Sequence, residues 1–177
     1  MLIKTIFAGF GGQGVLSMGL NLAQAGMVEG KHVTYLPAYG AEVRGGTANC
    51  TVAISDEEIA SPVASSPDFV VAMNQPSLVR FQNQIRSGGM LFINSSIVEA
   101  KISRGDIEIV EVPASGMADE MKSPKSANMI MLGAFVRKTG LVSLSTLVQG
   151  LESTMKGKPK LIDINKRALE AGYNFLK

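Results

Sequence analysis

Blocks of apolar and polar positions change period along the chain, and the changes mark its elements. "LIKTIFAG" (2–9) is a short apolar run closed by glycine, the pattern of a buried strand. From 15 to 29 the apolar residues Val15, Leu16, Leu20, Leu22, Ala23 and Met27 recur at helical spacing, and Gly30 stands where a helix C-terminal glycine would. "HVTYL" (32–36) predicts a second strand stopped by Pro37, and "PAYGAEVRGG" (37–46) a polar, glycine-punctuated loop. "TANCTVAIS" (47–55) and "DFVVAM" (68–73) predict further strands, with "DEE" as a turn after the first. A helix then runs through "PSLVRFQNQIR" (76–86), with Pro76 in its first turn. "GGMLFINSS" (88–96) and the alternating "IEIVEV" (107–112) complete the strands.

From Ala114 onward helices dominate. "SANMIMLGAFVRKTG" (126–140) is apolar on nearly every side, which predicts a helix buried on more than one face, whereas "SLSTLVQGLESTM" (143–155) and "DINKRALEAGYNFL" (163–176) are amphipathic. No repeat or linker interrupts the pattern. Strands alternating with helices predict a single α/β domain over 1–177, a three-layer α/β/α arrangement around a mostly parallel sheet. "TANCTVAIS" has no helix between it and the strand material that follows, so the sheet is open to being mixed.

Composition narrows the function classes. A chain of 177 residues with 46% apolar content buries one sizeable core but not two. Seventeen Lys and Arg against fifteen Asp and Glu give a net charge of +2, spread without a basic stripe, which argues against a nucleic-acid partner. The longest apolar run (129–136) is too short to cross a bilayer, and the first residues do not read as a secretory signal. With Cys50 as the only cysteine no intrachain disulfide forms, and a cytoplasmic protein is the expectation. One cysteine and one histidine do not suffice for an iron–sulfur cluster, a structural zinc site or a nucleophilic triad. His32, at the start of a strand, reads as structural, and Cys50 as a small buried hydrophobe. The expectation is no catalytic residue and no metal ligand in this chain.

Candidate chemistry therefore concentrates in the loops. Gly9, Gly11 and Gly14 form G-x-G-x-x-G between the first strand and the first helix, the spacing of a dinucleotide-binding turn. The carboxylate that such a site needs about 20 residues on, at the end of the second strand, is missing: that strand ends in Tyr35, Leu36 and Pro37. No G-K-[ST] follows Gly14, so the turn is not a Walker loop either. Two readings stay open. The glycines serve only a sharp turn, or their bare N–H groups at a helix N-terminus, beside Gln13, bind an anionic ligand. In "YGAEVRGG" the guanidinium of Arg44 and the flexible backbone of Gly45 and Gly46 suit a phosphate or carboxylate, against the plainer reading of a solvated turn. Both loops leave carboxyl ends of strands, where an open α/β sheet gathers its ligands.

The segments "GFGGQGVLSMG", "LPAYGAEVRGGTANCTVAISDEEIASP", "PDFVVAMNQPS" and "ANMIMLGA", in this order, resemble the gamma subunit of the 2-oxoacid:ferredoxin oxidoreductases. The long second segment is similar to the 2-oxoglutarate and branched-chain 2-oxoacid members, with one departure at Ala41, where that pattern has proline. The resemblance implies a non-autonomous subunit of a thiamine-diphosphate-dependent complex. Such a complex decarboxylates a 2-oxoacid oxidatively to its acyl-CoA and passes electrons through iron–sulfur clusters to ferredoxin. It implies alpha and beta subunits that hold thiamine diphosphate, a ferredoxin-like subunit, ferredoxin as acceptor, and coenzyme A as the co-substrate met by this chain. The coenzyme A contacts would fall on Gly11, Gly12, Gln13, Gly14, Arg44, Gly45, Gly46 and Asn128. For Asn128, capping of its helix together with Ser126 is the alternative. The rival classes are a stand-alone nucleotide-binding module and a purely structural scaffold subunit; in isolation a homodimer is expected from the apolar 128–136 segment.

Overall fold

The computed structural model describes residues 1–40, 46–99, 101–102 and 104–176. Six strands form one sheet: β1 (Leu2–Phe10), β2 (His32–Tyr39), β3 (Thr47–Ser55), β4 (Phe69–Ala72), β5 (Met90–Asn94) and β6 (Glu108–Val112), in the spatial order β2-β3-β1-β4-β5-β6. β1, β4, β5 and β6 pair in parallel, while β3 runs antiparallel to both β1 and β2. The sheet is thus mixed. β2 and β3 form a hairpin, and β3 separates β2 from β1.

Alternation along β1 feeds two cores, since successive side chains leave opposite faces. Phe7 joins the larger core with α1 (Val15–Val28), α3 (Ala114–Glu120), α4 (Ala127–Thr139), α5 (Leu144–Thr154) and α6 (Pro159–Phe175). Ile6 and Ala8 join the smaller one, which α2 (Gln75–Phe81) and the flanking residues Ala64 and Val98 cover. Among the described residues α-helices thus lie on both faces, five on one and a single short one on the other.

Two devices set the larger face. α1 sits close on the hairpin because Gly19 and Gly26, seven apart on one helix face, carry no side chain. A Cβ at Gly19 would run into the Cys50 sulfur, and one at Gly26 would come 3.0 Å from Val33. α4 is buried at every position from 128 to 136, as its apolar sequence predicts. Phe135 on one side meets the rings of Phe7, Phe69 and Phe92 at centroid distances of 5.5, 5.8 and 5.1 Å, in edge-to-face or tilted geometry. Its other side packs on α6 backbone to backbone: a Cβ at Gly133 would strike the Leu169 carbonyl, and one at Gly172 the Ile130 carbonyl.

Three sequence expectations need correction. Pro37 does not stop the second strand, which continues to Tyr39 with Pro37 opposite Cys50. β2 lies at the sheet edge, where a missing N–H is tolerated. The helix expected over 76–86 is α-helical only to Phe81 and passes into a 3₁₀ turn, Gln82–Gln84. α6 starts at Pro159 rather than at 163, with proline in its first turn, where it costs no hydrogen bond. Gly30 adopts φ 77° directly after α1, in keeping with its expected role.

Candidate functional site

The glycine turn leaves the carboxyl end of β1 and enters α1 within four residues. Gly12 has φ 98° and Gly14 has φ 72° and ψ 21°, left-handed backbone that favours glycine. Gly14 is the N-cap of α1, so no side chain caps the helix, and its first turn holds no acidic residue. The N–H groups of Val15, Leu16 and Ser17 have no intrahelical acceptor, and the positive end of the helix dipole is left without a carboxylate of its own. The turn is fastened to the hairpin by Gly11 N–H donating to Gly46 O at 2.9 Å.

Between the turn and the hairpin end lies a cleft of about 430 Å³. Gly11, Gly12 and Gly14 form one wall, Tyr39 and Gly46 stand on the other, and Phe10 is also part of the lining. Tyr39, 74% exposed, offers an aromatic face to whatever enters. A mostly apolar cleft with backbone N–H groups at one end suits a ligand that carries an anion on a larger organic body.

Of the residues selected from sequence, Gly11, Gly12, Gly14 and Gly46 line this cleft. Gln13 and Asn128 are not part of its lining. Gln13 folds under the turn: its Oε1 accepts from Phe10 N–H at 2.7 Å and from Asn74 Nδ2 at 2.9 Å, and its Nε2 donates to Met73 O at 3.1 Å. Room for this comes from Gly9, whose Cβ would lie 2.6 Å from Gln13 Oε1. Asn128 donates from Nδ2 to Gly14 O at 3.2 Å, and a side chain at Gly14 would run into it. Its Oδ1 is buried without a hydrogen-bond partner among the described residues. Asn128 does not cap its helix with Ser126, whose hydroxyl pairs with Ser123 at 2.7 Å. Arg44 and Gly45, like the Ala41 departure, lie outside the described residues.

His32 is exposed at the start of β2, far along the strand from Tyr39 at the cleft. Burial pushes the Cys50 thiol up to about 12, so it is no nucleophile at neutral pH. Asn74 was not singled out from sequence. Its Oδ1 accepts from Ser77 N–H at 2.9 Å and caps α2, a role that "NQPS", an Asn ahead of a helix-starting proline, does signal.

The sheet and its cleft define the class: an α/β domain with a mixed sheet and a cleft at the carboxyl end of β1. The model of the pyruvate ferredoxin/flavodoxin oxidoreductase family matches residues 4–175, and the chain belongs to this family. It is 44% identical over 177 residues to ketoisovalerate oxidoreductase subunit VorA of Methanothermobacter thermautotrophicus, covering 99% of this chain and 36% of that one. The chain thus spans little more than a third of the length of this relative. Among solved structures, the gamma subunit of a keto/oxoacid ferredoxin oxidoreductase from Geobacter sulfurreducens is similar with a TM-score of 0.82 and 26% identity, over 97% of this chain and 96% of that one. A 2-oxoglutarate:ferredoxin oxidoreductase from Magnetococcus marinus, solved with 2-oxoglutarate, coenzyme A and succinyl-CoA bound, is similar with a TM-score of 0.89 and 26% identity. That match covers 99% of this chain and 32% of the other.

Proposed function

We propose that the chain is the gamma-type subunit of a 2-oxoacid:ferredoxin oxidoreductase and presents its glycine turn to coenzyme A. The observation that carries this reading is the N-terminus of α1, without a side-chain cap, in the wall of a largely apolar cleft. Coenzyme A has the matching chemistry: phosphates for the first-turn N–H groups and an adenine ring for Tyr39. The Magnetococcus marinus relative, solved with coenzyme A and succinyl-CoA, supports the same ligand. In this role the turn binds and orients the thiol-bearing substrate, and Arg44 supplies a charge-assisted contact to a phosphate.

Thiamine diphosphate and the iron–sulfur clusters belong, on this reading, to partner subunits. A single cysteine gives this chain too few ligands for a cluster, and the described residues hold no group of three His, Cys, Asp or Glu side chains placed to bind a metal. When bound on those partners, thiamine diphosphate supplies the carbanion chemistry of decarboxylation. None of the described helices is long and apolar enough to cross a membrane, and the complex is proposed to work in the cytoplasm.

Reconstitution with the partner subunits tests this reading. The chain alone should give no 2-oxoacid-dependent reduction of a viologen dye, and adding the partners should restore it. In the assembled enzyme Arg44→Ala should raise KM for coenzyme A about ten- to a hundredfold, the equivalent of about 1.5–3 kcal/mol for a hydrogen bond to a charged group. KM for the 2-oxoacid should move much less, and the subunits should still co-purify. An unchanged KM for coenzyme A rejects the ligand assignment; loss of assembly makes Arg44 an interface residue and favours a scaffold.

A further inference from the structure

Gln13 is the one polar side chain in a turn of glycines, and all its observed hydrogen bonds point into the protein. Its carbonyl takes the Phe10 N–H, which otherwise would be left open where β1 ends, while Asn74 Nδ2 donates to the same oxygen. Asn74 is 3% exposed and its own carbonyl caps α2 through Ser77 N–H. A continuous amide relay therefore joins the first turn of α2, on the smaller core, to the glycine turn at the head of α1, on the larger. No other side chain in the turn fixes it, because the remaining residues from 11 to 14 are glycines that by themselves sample both signs of φ.

We propose that Gln13 and Asn74 are positioning residues. Their relay holds the turn in the conformation that directs the first N–H groups of α1 into the cleft, and neither touches the ligand. The proposal rests on the reading of the cleft as the coenzyme A site only for its functional consequence; the relay itself is a property of the chain. A preset turn binds without first having to order four residues, so loosening it weakens affinity with no ligand contact removed.

The relay and the ligand are read by separate measurements. Asn74→Ser keeps a hydroxyl to cap α2 but is too short to reach Gln13. In the full chain, amide hydrogen exchange at Phe10 should speed up about five- to tenfold relative to Phe7 on the same strand, the equivalent of one net hydrogen bond. In the complex reconstituted with its partner subunits, KM for coenzyme A should rise by a similar factor while kcat stays near wild type. Gln13→Met, which leaves the α2 cap untouched, should do the same and carries the test if Asn74→Ser does not fold. Unchanged exchange at Phe10 in both variants overturns the relay, whatever happens to KM. Faster exchange with unchanged KM for coenzyme A, where Arg44→Ala does raise that KM, overturns the positioning role; where Arg44→Ala also leaves it unchanged, coenzyme A is not the ligand of the cleft.

Discussion

Cys50 shows how one residue ties a helix to the sheet. Its sulfur fills the space that Gly19 leaves open beneath α1, and burial raises its pKa to about 12 against backbone N–H donors of Gly19 and Phe7. A thiol that ionises near 9 when unfolded but near 12 when folded leaves stability intact below pH 9 and erodes it as the pH rises beyond. At pH 8 the native protein should therefore not react with a disulfide reagent that releases a coloured thiolate. One equivalent should appear only as denaturant unfolds the chain, on the time course of the loss of circular dichroism. Immediate reaction in buffer would mean that α1 lifts from β3 more readily than the close Gly19 contact implies.

Between α4 and α6 two glycines permit a contact that neither helix reveals by itself. Gly172→Ala drives a methyl into the Ile130 carbonyl, so the helices must part, at about 2–3 kcal/mol. For a chain of this size that is a fall in melting temperature of roughly 4–9 °C, measurable by circular dichroism. Gly150→Ala in α5 meets nothing within 4 Å and should raise the midpoint slightly, since it stiffens the unfolded chain. At this scale the sequence was readable where burial is local. The all-apolar run over 126–140 announced a helix packed on several sides, and the nine residues of β3 matched "TANCTVAIS" end to end. It was not readable where a partner decides: Pro37 is tolerated because β2 is an edge strand, and edge position is a property of strand order. The glycine turn was visible as spacing, but the inward fold of Gln13 depends on Asn74, 61 residues away, and no local pattern carries that.

At the scale of the molecule, two ion-paired carboxylates stand just outside strand ends, Asp56 after β3 and Asp106 before β6. The carboxyl of Asp56 is held at about 2, first by the hydrogen bond from Lys31 and then by the N-terminal ammonium; Arg104 holds Asp106 at about 2 in the same way. Both depressed carboxylates contribute stability above about pH 4 that is lost as the pH falls toward 2. Both side chains are about half exposed to solvent, so the loss should be shallow and should weaken further in added salt. An acid titration followed by circular dichroism at low and high ionic strength checks this; a steep, salt-independent transition would point to a buried group instead.

The position of β3 accounts for the carboxylate that the glycine spacing led one to look for. In a doubly wound dinucleotide-binding sheet the second strand lies beside the first, one strand spacing of about 4.8 Å away, and its terminal acid reaches the ribose of a nucleotide seated on the turn. Here an antiparallel strand stands between them, so the end of β2 is about two spacings, roughly 10 Å, from the end of β1. An acid placed at Leu36 or Pro37 would fall short of that ribose. The same reversal makes β2 and β3 a hairpin, and Gly46, just before β3, accepts a hydrogen bond from Gly11 N–H of the turn. By turning back, the chain brings Tyr39 at the end of β2 and Gly46 just before β3 to the same cleft as the glycine turn, so three chain segments meet there without a crossover helix.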